Sequence, residues 1–145
     1  MTTAQPDGII LFAHGSRDPL WRGPIEAVAA RIRVDHPKQF VSCAYLELCE
    51  PSLPDAAALM ISQLHTTINL IAPRADSMPA KGKKALKIRI IPMFLGMGKH
   101  AREDLPELAS ALRAAHPNVE FDVQQTVGED SRVTALLAQI AVESL

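Results

Sequence analysis

The feature that most constrains this chain is an alternation. Four short β-rich runs, residues 8–13 (GIILFA), 40–46 (FVSCAYL), 87–95 (KIRIIPMFL) and 119–125 (VEFDVQQ), are interleaved with four stretches that carry apolar residues at helical spacing. Ile25, Val28, Ala29 and Ile32 fall at i, i+3, i+4, i+7, as do Val133, Leu136, Leu137 and Ile140. Leu53, Ala57, Met60 and Leu64 keep similar spacing, and so do Leu105, Leu108 and Leu112. Each set makes a stripe able to pack on a sheet. The first and third β runs are nearly continuously apolar, as parallel strands covered on both faces must be. The order β-α-β-α-β-α-β-α predicts an α/β fold with a doubly wound, four-stranded parallel sheet and right-handed crossovers. Asp35-His36-Pro37 and Ala115-His116-Pro117 place proline where a helix must stop. His36, His116 and His65 are read as helix-end residues.

A sheet of this kind binds ligands at the carboxyl edge of its strands. Strand 1 is followed by His14-Gly15-Ser16, strand 2 by Glu47, and strand 3 by a Gly96-Met97-Gly98 turn that presents His100. Topology therefore converges two imidazoles and a carboxylate on one crevice. Neutral imidazole and carboxylate are ligands for divalent first-row metals. They are also bases for protons that leave near neutral pH. Three side-chain ligands with open positions suit a metal in transit or in chemistry better than a closed structural site. The glycines beside the histidines let a bulky flat ligand approach the backbone. Arg17, Lys99 and Arg102 flank the crevice and can clamp carboxylates, or serve as ordinary surface cations. Glu103 and Asp104 are expected in the first turn of the third helix, where the dipole favours acids. Ser52 is expected to cap the second helix, and Ser16 the segment after strand 1.

Other classes are excluded. Gly98-Lys99 has Met93 and His100 where a P-loop needs Gly and Ser or Thr. No G-x-S-x-G elbow is present, so Ser16 is not a hydrolase nucleophile. Aromatics make up 4% of 145 residues and the net charge is -1, which offers neither a stacking surface nor a basic footprint for nucleic acid. No apolar run approaches the ~18 residues that span a bilayer, and no basic region precedes the first apolar run as in a secretory signal. Cys43 and Cys49 are too few and too oddly spaced for a zinc ribbon or redox motif and are read as reduced thiols in the cytoplasm. Pro73 to Arg89 holds six basic residues and one acid, so it carries +5 and the remainder -6. A flexible basic loop is expected at about 73–87, as a solvated linker or as an electropositive flap over an anionic ligand.

Three blocks carry a resemblance: LFAHGSRDP at 11–19, YLELCEPSLPDA at 45–56 and IPMFLGMGKHAREDLPEL at 91–108. Together they resemble the class II tetrapyrrole chelatases, in particular the short CbiX-type sirohydrochlorin chelatases. The resemblance implies a flavodoxin-like (βα)4 half-chelatase domain over residues 1–145. It implies insertion of Co²⁺, or of Fe²⁺ or Ni²⁺, into sirohydrochlorin for cobalamin or siroheme synthesis, the metal being a substrate and no cofactor being permanently bound. His14 and His100 are the implied metal-contacting and proton-accepting groups, with Glu47 the acidic partner. Ser16, Arg17, Phe94, Leu95, Gly96, Met97, Gly98, Lys99 and Arg102 would bind the tetrapyrrole. The length resembles the homodimeric short form, with no nucleic acid or membrane partner. A non-catalytic metal or tetrapyrrole carrier is the alternative.

Overall fold

The computed structural model describes residues 5–71 and 85–143. Most of the basic segment lies outside them. Strands β1 (Gly8–Ala13), β2 (Phe40–Tyr45), β3 (Leu86–Pro92) and β4 (Val119–Val123) form one sheet in the order β2-β1-β3-β4. All three pairings are parallel, with Gly8 beside Phe40 and Ile88, and Ile88 beside Phe121. Parallel pairing requires crossovers, which α1 (Gly23–Asp35), α2 (Leu53–Ile71) and α3 (Lys99–Ala115) supply. A fourth helix, α4 (Ser131–Glu143), follows β4.

The alternation of side chains along β1 splits the core in two. Ile10 and Phe12 point to one face, where Ala57, Met60 and Leu64 of α2 and Leu105 and Leu112 of α3 close over them with Ile88, Ile90 and Phe121. Leu11 and Ala13 point to the other face, against Ile25 and Ala29 of α1 and Val41 and Tyr45 of β2. Phe12 is fully buried and meets Phe94 edge to face, with ring centroids 6.1 Å apart.

Helices α1 and α3 end as the proline signals require, with the His36 and His116 amides donating to the Ile32 and Leu112 carbonyls. Ser52 accepts from the Asp55 amide and caps α2. Several boundaries differ from expectation. β3 ends at Pro92 rather than Leu95, because the Phe94 amide leaves the ladder for the Thr126 hydroxyl. Lys87 and Arg89 lie in β3, as the run 87–95 predicts, paired with Glu120 at 3.6 Å and Asp122 at 3.5 Å on the neighbouring strand, so the expected basic loop does not extend to Lys87. His65 lies mid-helix, since α2 continues to Ile71. Helix α3 begins at Lys99, so Glu103 sits in its second turn, one turn below Lys99 at 4.0 Å. The largest departure concerns α4. Its stripe was expected to pack on the sheet, yet none of its residues is buried.

Candidate functional site

The edge is built by the strands themselves. Where β1 ends, pairing with β2 continues for two more residues: the Leu46 amide donates to the Ala13 carbonyl at 2.9 Å, and the Glu47 amide to the His14 carbonyl at 3.0 Å. This holds the side chains of His14 and Glu47 beside each other, with Nε2 3.4 Å from Oε1. Both are about half exposed, so the pair opens to solvent and to a ligand. Gly15 makes the approach possible. Its φ is +102°, and a Cβ there would lie 1.8 Å from the Glu47 carbonyl oxygen. Leu48, on the other side of Glu47, has a φ of 69°. A bulky residue held in the left-handed region stores about 1–3 kcal/mol of strain, and here the strain adjoins the acid.

His100 reaches the same edge by a different route. The Met93 amide donates to the Phe12 carbonyl at 2.7 Å, carrying β3 alongside β1 to the carboxyl end. The chain then turns through Gly96 and Gly98, and α3 starts at Lys99 with His100 as its second residue. A Cβ at Gly96 or Gly98 would meet nothing within 4 Å. The fold itself does not demand glycine there, and the backbone is open to a flat ligand. His14, Glu47 and His100 thus all follow the carboxyl ends of parallel strands. Among the described residues, no three His, Cys, Asp or Glu side chains cluster tightly enough to cage an ion. The chain offers an open pair plus an imidazole across the edge.

Around these groups, Ser16 accepts from the Asp18 amide at 3.0 Å, and Asp18 caps the 3₁₀ turn Pro19–Arg22. Arg17, Lys99 and Arg102 are exposed. Phe94 and Met97 are half-buried against the core, while Leu95 is 69% exposed. Two grooves flank the edge. One, of about 480 Å³, is lined by Ala13, Leu20, Trp21, Pro24, Val28 and Met93. The other, of about 300 Å³, lies against Met97, Arg102 and Pro106. A cavity of about 570 Å³ opens at the opposite end of the sheet, around Pro6, His36 and Phe40, away from the paired His and Glu.

Thr126 was missed from sequence. It is buried; its hydroxyl accepts from the Phe94 amide at 3.1 Å and donates to the Phe94 carbonyl at 2.6 Å. Gly128 seals the same joint, with its amide donating to the Phe94 carbonyl and no room for a Cβ beside the Leu95 carbonyl. These contacts fix the turn that leads to His100. The available signal was the polar run after β4, which ends in Thr126 and Gly128. Both cysteines are free thiols. Burial, reinforced by the Glu26 carboxylate, pushes the Cys43 thiol up, which leaves it protonated and unreactive near neutral pH.

Comparisons with known proteins agree with this fold. A sirohydrochlorin cobaltochelatase of Methanococcus aeolicus is 29% identical over 102 residues, which cover 70% of this chain and 57% of that protein. The chain therefore spans less than two thirds of that relative's length. A crystal structure described as a cobalamin (vitamin B12) biosynthesis CbiX protein from Marinobacter aquaeolei superposes with a TM-score of 0.68 at 26% identity, covering 96% of this chain and 94% of that one. The sirohydrochlorin chelatase SirB from Bacillus subtilis, in complex with cobalt, shares the fold with a TM-score of 0.68 at 18% identity, covering 97% of this chain and 51% of that one. The CbiX family model matches residues 8–74 and 75–144. A carboxyl edge that carries His14, Glu47 and His100 on a four-stranded parallel sheet is thus the edge of a member of the CbiX family.

Proposed function

We propose that this chain is a sirohydrochlorin chelatase that inserts Co²⁺ or Fe²⁺ into the macrocycle, serving cobalamin or siroheme synthesis. The observation that carries this reading is the 3.4 Å approach of His14 Nε2 to Glu47 Oε1 on the edge that also bears His100. Insertion replaces two pyrrole N–H protons by one divalent ion, so the site must deliver a cation and remove two protons. A neutral imidazole can do either. Glu47 gives His14 somewhere to pass a proton, which ligands alone would not require. The exposed Arg17, Lys99 and Arg102 are suited to the peripheral carboxylates of the substrate, and Gly96 and Gly98 leave room for its flat face. Residues 1–145 act as one domain in this reading, and a second copy supplies the other wall of the cleft. Two free thiols are consistent with a reducing cytoplasm.

The test is a spectroscopic assay of the purified chain with sirohydrochlorin and excess Co²⁺. A chelatase converts many equivalents of tetrapyrrole, and His14→Ala or His100→Ala abolishes turnover. Conversion that stops at one equivalent per chain would make the protein a carrier and overturn the proposal.

A further inference from the structure

Packing does not account for Leu48. Among the described residues it is the only one other than glycine with a positive φ, at 69°. Leucine has no short polar side chain with which to bond locally in that region, as asparagine and aspartate do. Burial does not offset the strain either, because Leu48 is 49% exposed. Strain of this kind persists only where the surroundings over-determine the backbone.

Here they do so from three sides. Leu46 packs into the half of the core that α2 and α3 cover, whereas Cys49 packs into the half that α1 covers. The chain therefore crosses from one face of the sheet to the other within two residues, Glu47 and Leu48. The far side of the crossing is also fixed: the Tyr45 amide donates to the Pro51 carbonyl at 2.9 Å, and Ser52 pairs beside Tyr45. On the near side, the Glu47 amide donates to the His14 carbonyl, and the Glu47 carbonyl occupies the space that a Cβ on Gly15 would need. Glu47 is thus gripped at both of its backbone polar groups, and the backbone of Leu48 decides how the chain leaves it.

We propose that Leu48 is a positioning residue, whose left-handed backbone locks the Glu47 peptide so that the carboxylate stays beside His14, 3.4 Å from its Nε2. The proposal rests on the chelatase reading above and adds to it a residue that acts through Glu47 rather than on the substrate. A negative φ at Leu48 would require the Glu47 peptide to rotate. Rotation would pull its amide off the His14 carbonyl and swing the carboxylate away from the imidazole. A misplacement of ~1 Å is enough to cost a catalytic group ~10²-fold in rate. What position 48 needs is therefore tolerance of the left-handed region, and residues placed there should rank by backbone preference rather than by apolarity.

Two variants of the full chain separate those rankings. Leu48→Ile keeps the apolar volume but adds a β-branch, which makes a positive φ a severe outlier. Leu48→Asn gives up the apolar surface but tolerates the left-handed region. With sirohydrochlorin and Co²⁺, Leu48→Ile is expected to lower kcat by ~10–10²-fold at unchanged KM, and Leu48→Asn to restore kcat to near the wild-type value. In a Glu47→Gln background, Leu48→Ile should cost no more than about twofold further, because the two changes act through one group. Hydrogen exchange at the Glu47 amide, measured without substrate, should be faster in Leu48→Ile and close to wild type in Leu48→Asn. The opposite order, with Leu48→Ile active and Leu48→Asn impaired, would mean a side-chain contact and overturn the proposal. Equal protection of the Glu47 amide in the two variants, or an undiminished effect of Leu48→Ile in the Glu47→Gln background, would overturn it too. Should Leu48→Ile fail to fold, lost turnover in a folded Leu48→Asn chain would do the same. A wild-type chain without turnover would overturn the chelatase reading alone, since amide exchange still decides whether Leu48 holds Glu47.

Discussion

His14 and Glu47 are joined twice, by a backbone hydrogen bond of 3.0 Å and by a side-chain approach of 3.4 Å. The first belongs to the sheet and fixes the second. A half-exposed side-chain pair of this kind contributes only about 0–1 kcal/mol to stability, so its value lies in what it does to a proton. Glu47→Gln should therefore leave the melting temperature within a few degrees of wild type. It should lower chelatase turnover by ~10²–10⁴-fold, the usual range for losing a general acid–base group. Steady-state kinetics beside a thermal melt checks both halves, and unchanged turnover would remove Glu47 from proton transfer.

Glycines near the site divide by what a methyl group would meet. At Gly15 a Cβ would strike the Glu47 carbonyl from a left-handed backbone; at Gly96 it would meet nothing. Gly15→Ala is expected to cost at least about 1–3 kcal/mol and to separate His14 from Glu47. Gly96→Ala should be neutral for stability while weakening macrocycle binding, because in the proposed reading the added methyl would stand where the ring approaches. Denaturant titration reads the first effect and tetrapyrrole titration the second.

What could be read from the chain beforehand was whatever local pattern and topology decide together. The apolar runs GIILFA and KIRIIPMFL read as parallel strands covered on both faces, and the β-α alternation around them sends His14, Glu47 and His100 to one edge. Lys87 and Arg89 were legible as strand residues from the run 87–95, but their partners Glu120 and Asp122 were not, because these lie more than thirty residues away and only strand pairing joins them. For α4, periodicity told which side is apolar but not what covers it. Spacing is local, whereas burial depends on the whole assembly.

Asp130 offers a pH test. Hydrogen bonds from the Arg132 guanidinium and the Arg132 backbone amide hold its carboxyl well below the ordinary 3.8, at about 2. The folded value is depressed, so the charged contact is fully present above pH 3.8 and is lost as the pH falls through about 2. A carbon-detected NMR titration of the Asp130 carboxyl should give its midpoint near that lower value. Arg132→Ala should move it toward the ordinary one, and the first turn of α4 should fray with it. A wild-type midpoint near 3.8 would refute the contact.

Thr126 provides the sharpest separation of structure from chemistry. Its hydroxyl serves both the amide and the carbonyl of Phe94, and the Pro92 carbonyl lies 3.3 Å away. Thr126→Val keeps the shape but leaves buried polar groups without partners, at a cost of about 1–3 kcal/mol. Thr126→Ser keeps the hydroxyl and should recover most of that loss. Because this joint fixes where β3 ends, Thr126→Val should also loosen the Gly96–Gly98 turn and misplace His100. Turnover should then fall by more than the fraction unfolded explains, with His14 and Glu47 untouched. Hydrogen exchange at the Phe94 amide provides the structural readout: faster exchange in Thr126→Val, and protection in Thr126→Ser close to wild type. Equal protection in the two variants would mean that the hydroxyl does not hold the turn.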